Sequence, residues 1–334
     1  MTLTHTPLFQ RLLALDALGE DDSLQLLQQL TDPDVDPHRK AAMLALMEAR
    51  GVTAQEVRGV ARGLLAACRP VATDQPIVVD TCGTGGDGAH SLNLSTATAL
   101  LVAALGLPVA KHGNRSVSSR SGSAEVLEAL GLRIADHPAL AEEQLRAGFS
   151  FLYAPAFHPA MKKVAPVRRA LGVRTVFNLV GPLVNPARPT HQLLGAYSEP
   201  AAALLAEASR ELGAQRVFVV HGAPHWDEAT PMGPFVCFDV HEGRMQRRVL
   251  DPLDYGISRC EATALAGGDA AYNARRLAQV LAGDDRGPHE DAVVLNAALV
   301  LQLVGRHRDP REAARHARAA LHDGRAARLL EALR

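Results

Sequence analysis

The residues between Asp80 and Ser123 have the types and the spacing of a phosphate cradle. The stretch opens as Asp80-Thr-Cys-Gly-Thr-Gly-Gly-Asp-Gly88 and continues through Asn93-Leu94-Ser95-Thr96. It closes as Lys111-His-Gly-Asn-Arg-Ser-Val-Ser-Ser-Arg-Ser-Gly-Ser123. Glycines let backbone N–H groups turn towards an anion, and the unpaired amides of a helix start add donors and dipole. The spacing is neither the G-x-G-x-x-G of a dinucleotide turn nor the Gly-Lys-Ser/Thr of a P-loop, so a plain tight turn is the competing reading. The basic, serine-rich segment that follows favours the anion. A second candidate is Asp227-Glu228, inside Gly222-Ala-Pro-His-Trp-Asp-Glu-Ala-Thr-Pro231. Adjacent carboxylates repel each other. Standing alone they read as a solvated loop, whereas beside a bound phosphate they read as a Mg²⁺ site.

These groups need elements to hold them. Ile77-Val78-Val79 is β-branched, so a buried strand ends where the glycines begin. From Ser95 the pattern is helical, with a Ser/Thr start and Gly106 as its stop. Residues 107–110 form a second short strand that delivers Lys111, Arg115 and a row of serines. Further on, 124–130, 138–147 and 200–212 read as helices, and 149–154 and 216–221 as strands. Residues 236–250 read as an edge hairpin turning at Glu242-Gly243. The apolar run 291–304 is a buried helix, and the tail from Pro310 is an Ala/Arg-rich helix with a solvated face. Residues 1–70 carry helix signals only: Asp36 before Pro37 is an N-cap, Gly51 stops that helix, and Thr53 with Glu56 makes a capping box. Two prolines within 69–76 mark a boundary. The expected fold class is therefore α/β. A small all-helical domain (1–70) precedes a larger domain (71–334) with a mostly parallel sheet flanked by helices. In such sheets ligands bind beyond the carboxyl ends of the strands, so loops 80–96, 111–123 and 222–233 are expected to converge.

Composition narrows the partners. The 334 residues are 47% hydrophobic and 21% charged with a net charge of −1, so no basic field points to a nucleic acid. The four cysteines are scattered without a C-x-x-C pair, which argues for reduced thiols and against a zinc site. No export signal and no apolar run of membrane-spanning length is visible, and a cytoplasmic location is the expectation.

The motifs of the cradle resemble the signature of the anthranilate phosphoribosyltransferase family. The likeness continues through His158-Pro-Ala-Met-Lys162, Pro166-Val-Arg168, Arg174-Thr-Val-Phe-Asn178, Gly181-Pro-Leu-Val-Asn-Pro186 and Asp227-Glu228. It implies the nucleoside phosphorylase/phosphoribosyltransferase fold, with the helical domain completed by a segment near 165–192. The implied reaction moves the phosphoribosyl group of 5-phosphoribosyl 1-diphosphate onto the amine of anthranilate, a step of tryptophan biosynthesis. By resemblance, Gly83, Gly86, Asp87, Ser91, Asn93, Leu94, Ser95 and Thr96 would hold the phosphoribosyl diphosphate. Lys111, His112, Gly113, Asn114, Arg115, Ser116, Val117, Ser118, Ser119 and Ser123 would complete that site. Asn114 and Arg168 would hold anthranilate, with Gly83, His112, His158 and Pro182 lining its channel. Ser95, Asp227 and Glu228 would bind two Mg²⁺ ions. A homodimer through the helical domain is also implied, with no nucleic-acid or membrane partner.

On the residues alone, Arg168 reads as a surface arginine beside Arg169, and His112 and His158 read as packed histidines. An arginine nonetheless suits a planar carboxylate, because its fork can bind both oxygens. The nucleophile would be a neutral aromatic amine, which is consistent with the lack of any visible general-base constellation. His225-Trp226 and Ala229-Thr230-Pro231, flanking the acidic pair, depart from the family pattern, as does Leu92. The rival readings are a pyrimidine nucleoside phosphorylase, which uses a different glycine loop and no Asp-Glu pair, and a non-catalytic nucleic-acid-binding relative, which the near-neutral charge disfavours.

Overall fold

The strands, each five to seven residues long, are β1 (Val79–Gly83), β2 (Val109–Gly113), β3 (Phe149–Tyr153), β4 (His191–Gly195), β5 (Arg216–His221), β6 (Phe235–His241) and β7 (Arg244–Leu250). They come from a computed structural model that describes residues 7–115 and 121–334; Ser116, Val117, Ser118 and Ser119 lie outside the described residues. The strands join in one sheet of order β3-β2-β1-β4-β5-β6-β7. Neighbours from β3 to β5 pair in parallel, and β6 and β7 add antiparallel. The mostly parallel α/β sheet expected from the alternation is thus the one observed. The 236–250 hairpin also forms, its turn carried by Glu242 at φ 50° and Gly243 at φ 70°, and β7 is the exposed sheet edge.

Two expectations on strands need correction. The central strand β4 carried no sequence signal. His191-Gln-Leu-Leu-Gly195 is buried along its whole length, between β1 and β5, so it shows none of the alternation of a half-buried strand. β2 also runs to Gly113, which places Lys111 and His112 inside the strand rather than in the loop after it.

The chain leaves β1 towards β2 on one side, while β4 and β5 extend the sheet on the other, so the order reverses between β1 and β4. In open α/β sheets that reversal opens a crevice at the carboxyl ends of the strands. Gly83 and Gly195, the last residues of β1 and β4, are register partners there. One sheet face is covered by the buried helices Leu94–Ala104 and Pro288–Leu303. The other is covered by Glu199–Ser209, whose core continues into the N-terminal helices and into Met161–Leu171 and Val176–Val180. Asp36 caps its helix by accepting the N–H groups of His38 (2.8 Å) and Arg39 (3.3 Å), and Thr53 with Glu56 forms the capping box. Among the described residues no helix is long and apolar enough to cross a membrane.

Candidate active site

Three glycines at the ends of β1, β4 and β5 let one acidic segment lie directly across the strand ends. A Cβ on Gly83 would stand 2.2 Å from Asp227 Oδ2, one on Gly195 1.5 Å from the Asp227 carbonyl, and one on Gly222 1.8 Å from the Glu228 carbonyl. The segment is held at both ends. Trp226 is buried and exchanges backbone hydrogen bonds of 2.8 and 3.0 Å with Gly222. Asn296, on the buried helix Pro288–Leu303, donates to the carbonyls of Ala229 (2.8 Å) and Ala292 (2.9 Å). Asp227 Oδ2 accepts the Gly85 N–H (2.7 Å), and the Asp227 N–H donates to Asp87 Oδ2 (3.2 Å), tying the glycine loop to the acidic segment.

The carboxylates of Asp87, Asp227 and Glu228 converge, with one oxygen from each lying within 4.8 Å of the others. Burial first, and the charge of Asp87 second, push the Asp227 carboxyl up to about 6. Burial and the charges of Asp227 and Asp87 raise Glu228 well above its usual range. Glu228 Oε2 is buried without a partner. Beside these groups is a cavity of about 10 Å³, lined also by Ser95, Thr98 and Asn296, which is room for one water-sized sphere. Hard oxygen donors, uncompensated negative charge and a small void fit a cation such as Mg²⁺. Asp87, expected to meet the diphosphate, is also a third member of this acidic group.

β1 and β2 are in register only at Val79↔Val109. Beyond it Asp80 Oδ1 accepts the His112 N–H (3.2 Å), while Asn185 Nδ2 donates to Asp80 Oδ2 (2.8 Å) and to the Ala110 carbonyl (2.7 Å). Side chains thus replace the ladder. Asp80 is pushed to about 6 by burial, against the opposing charge of Lys111. Lys111 is itself buried, donating to the Thr81 carbonyl and to Ser95 Oγ (3.2 Å). Asn93 precedes the helix Leu94–Ala104 and makes no capping bond with its side chain. The Leu94 and Thr96 N–H groups donate to the Leu92 (2.6 Å) and Asn93 (3.0 Å) carbonyls, so among the first-turn amides it is that of Ser95 that keeps its capacity for an anion. Gly86 takes the left-handed conformation at φ 75°. Ser91 bridges to Ala266, Leu94 packs in the core, and Thr96 is fully buried with its hydroxyl unpartnered. A Cβ on Gly113 would meet Phe151 and Ser123 Oγ at 2.7 Å, and Ser123 Oγ donates to the Asn114 carbonyl (3.2 Å). Arg115 is exposed and paired with Glu128.

Of the residues expected around anthranilate, His112 Nδ1 lies 3.2 Å from the Gly181 carbonyl and His158 Nε2 lies 2.8 Å from that of Val184. Their rings meet edge to face at 5.2 Å. Burial pushes His112 down to about 3, with His158 adding to the effect, and burial also lowers His158; both imidazoles are neutral at pH 7. Pro182 is buried, its carbonyl accepting from Gln192 Nε2 (3.1 Å). Arg168 is half-buried rather than a surface residue. Its guanidinium lies 5.4 Å from the Phe177 ring centre and 3.5 Å from Asn178 Oδ1. It forms no ion pair among the described residues. Arg174, which belongs to the Arg174–Asn178 motif but is not among the expected site residues, donates to the Gly86 carbonyl and stacks on Tyr197 at 3.9 Å, clipping the glycine loop.

Known proteins resemble this chain over nearly its whole length. The family model described as the glycosyl transferase family, a/b domain, matches residues 75–327. The anthranilate phosphoribosyltransferase of Idiomarina loihiensis is 44% identical over 305 residues, 91% of this chain and 90% of that protein. That of Desulforamulus reducens is 41% identical over 329 residues, 98% of this chain and 95% of that protein. Among solved structures, the anthranilate phosphoribosyltransferase of Thermus thermophilus superposes with a TM-score of 0.92 at 40% identity, covering 98% of both chains. The Saccharomyces cerevisiae enzyme in complex with PRPP and Mg gives 0.86 at 27% identity, covering 97% of this chain and 94% of that one.

Proposed function

The chain belongs to the anthranilate phosphoribosyltransferase family, and from that membership we infer how its site divides the work. It is a pentosyltransferase that moves the phosphoribosyl group of 5-phosphoribosyl 1-diphosphate to the amine of anthranilate in tryptophan biosynthesis, with dependence on Mg²⁺. The anthranilate nitrogen forms a bond to C1 of the ribose, the bond from C1 to the diphosphate oxygen breaks, and the amine loses one proton. Bound Mg²⁺ supplies positive charge that stabilises the leaving diphosphate.

In our reading Asp87, Asp227 and Glu228, with Ser95, hold that metal. The glycine loop, Asn93 and the Ser95 N–H at the start of the helix Leu94–Ala104 receive the phosphates, over the buried charge of Lys111. Arg168 pairs with the carboxylate of anthranilate, while His112, His158, Pro182, Gly83 and Asn114 line its channel. Two neutral histidines held by backbone carbonyls orient and exclude water rather than remove the proton, so no general base is assigned. The observation carrying this reading is the convergence of three carboxylates at the sheet's reversal point, with Glu228 Oε2 buried and unpartnered. Loss of anthranilate fluorescence on mixing with 5-phosphoribosyl 1-diphosphate and Mg²⁺ tests it. Phosphate-dependent release of base from thymidine in its place would favour the nucleoside phosphorylase reading.

The finer reading has two Mg²⁺ ions per site, countable by titration calorimetry, and a cytoplasmic location, checked by fractionation. Residues 1–70 and the segment near 165–192 act as one helical unit in it. A homodimer forms through that unit, supported by the exposed Leu13 (52%), Leu15 (51%) and Leu24 (39%). Light scattering that gives a monomer mass would remove the dimer from this reading.

A further inference from the structure

One buried side chain, distant in sequence from both phosphate loops, bonds to both of them. Asn273, on the helix Ala270–Ala282, is fully buried. Its Oδ1 accepts the Gly268 N–H (2.7 Å), which fixes the carboxamide with its NH₂ pointing the other way. That NH₂ donates to Asn93 Oδ1 (2.9 Å) and to Ser121 Oγ (2.8 Å). Ser121 Oγ lies 3.3 Å from Asn93 Oδ1 and 3.4 Å from the Gly268 carbonyl. Two donors therefore converge on the Asn93 oxygen. A reversed Asn93 amide would set NH₂ against NH₂, so the network determines its orientation. Asn93 Nδ2 then faces away from Asn273, with only a 3.5 Å approach to the Ser121 carbonyl among the described residues.

We propose that Asn273 is a positioning residue for 5-phosphoribosyl 1-diphosphate. It holds the Asn93 carboxamide so that an N–H donor, and not an oxygen, meets the diphosphate, and it ties the segment carrying Ser121 to the same anchor. The proposal rests on the reading that Asn93 receives the phosphates. It also accounts for the absence of a capping bond from Asn93 to its own helix, since the oxygen that would cap is already taken.

Steady-state kinetics of Asn273→Ala, Asn273→Asp, Asn93→Ala and the Asn93→Ala/Asn273→Asp double variant, with thermal unfolding of each, test it. Asn273→Asp keeps the side-chain shape and the bond from the Gly268 N–H, but it offers Asn93 an acceptor. The Asn93 amide is then drawn round and its oxygen faces the diphosphate. The expected rise in KM for 5-phosphoribosyl 1-diphosphate is about tenfold for Asn273→Ala and about a hundredfold for Asn273→Asp, the range of one charge-assisted hydrogen bond lost or reversed. The KM for anthranilate should stay near wild type, and Asn273→Asp should add nothing in the Asn93→Ala background. Equal effects of alanine and aspartate, equal rises in both KM values, or full additivity with Asn93→Ala overturn the proposal. If Asn273→Asp does not fold, Asn273→Ala decides by the same split between the two KM values. An unchanged KM for the diphosphate substrate in Asn93→Ala overturns the assignment of Asn93 itself, and the proposal with it. A raised KM in Asn93→Ala beside an unaffected Asn273→Asp overturns only the role of Asn273.

Discussion

Replacing Asp227 by asparagine removes a titration that the fold created. Burial, then the Asp87 charge, raise this carboxyl from 3.8 to about 6. In the metal-free protein the raised group contributes stability that is fully present below its unfolded pKa. That contribution is lost as pH rises through about 6, because the folded state must then ionise a buried carboxyl. A shift of roughly two units is worth about 3 kcal/mol at 1.36 kcal/mol per unit. The amide of Asp227→Asn does not titrate, and it still offers an oxygen to the Gly85 N–H that Asp227 accepts at 2.7 Å. The stability of the variant relative to wild type should therefore improve by roughly 2 kcal/mol between pH 4 and pH 8 in EDTA, since part of the unfolded-state ionisation is already complete at pH 4. Neutralising Asp227 also relieves Glu228, which shifts the result in the same direction. Urea unfolding can be followed by the fluorescence of Trp226, the single tryptophan, which is buried beside the acidic pair. Mg²⁺ at a hundredfold over its Kd should add about 2.7 kcal/mol to wild type and little to the variant. A stability difference that does not change with pH, or equal stabilisation of both proteins by Mg²⁺, would refute the reasoning.

Turnover should fall by orders of magnitude in Asp227→Asn/Glu228→Gln with circular dichroism unchanged, and undiminished wild-type activity in EDTA would sink the metal assignment. The glycines under the acidic segment should separate by what their Cβ would strike. Gly83→Ala meets the Asp227 carboxylate at 2.2 Å, a side chain that can move, so Mg²⁺ affinity by calorimetry should drop about tenfold with a small change in Tm. Gly195→Ala meets the Asp227 carbonyl at 1.5 Å, which is backbone, so its main effect should be a lower Tm; equal behaviour of the two variants would contradict this. Arg168→Ala should raise the KM for anthranilate about ten- to a hundredfold, for a charge-assisted bond of roughly 1.5–3 kcal/mol, and leave that for the diphosphate substrate nearly unchanged. Arg168→Lys should recover only part, because a point charge cannot reproduce the planar fork; wild-type anthranilate KM values in both variants would misplace the acceptor site.

What the sequence determined alone was whatever local chemistry encodes. The caps at Asp36 and Thr53, the hairpin turn at Glu242-Gly243, the glycine loop and the adjacent carboxylates Asp227 and Glu228 each depend on residues a few positions apart, and each is legible without the fold. The tertiary structure decided what depends on neighbours distant in the chain. β4 was silent because a strand buried on both faces shows no alternation. Lys111 became a buried charge beneath the loop because β2 continues through it and Asp80 lies nearby. Asp87 joined Asp227 across 140 residues, and Asn273 reached Asn93 across 180. Hydrogen bonds of that span impose no periodicity, cap or turn on either segment. A single sequence therefore displays the reacting groups, while only the packed sheet shows which side chains hold them in place.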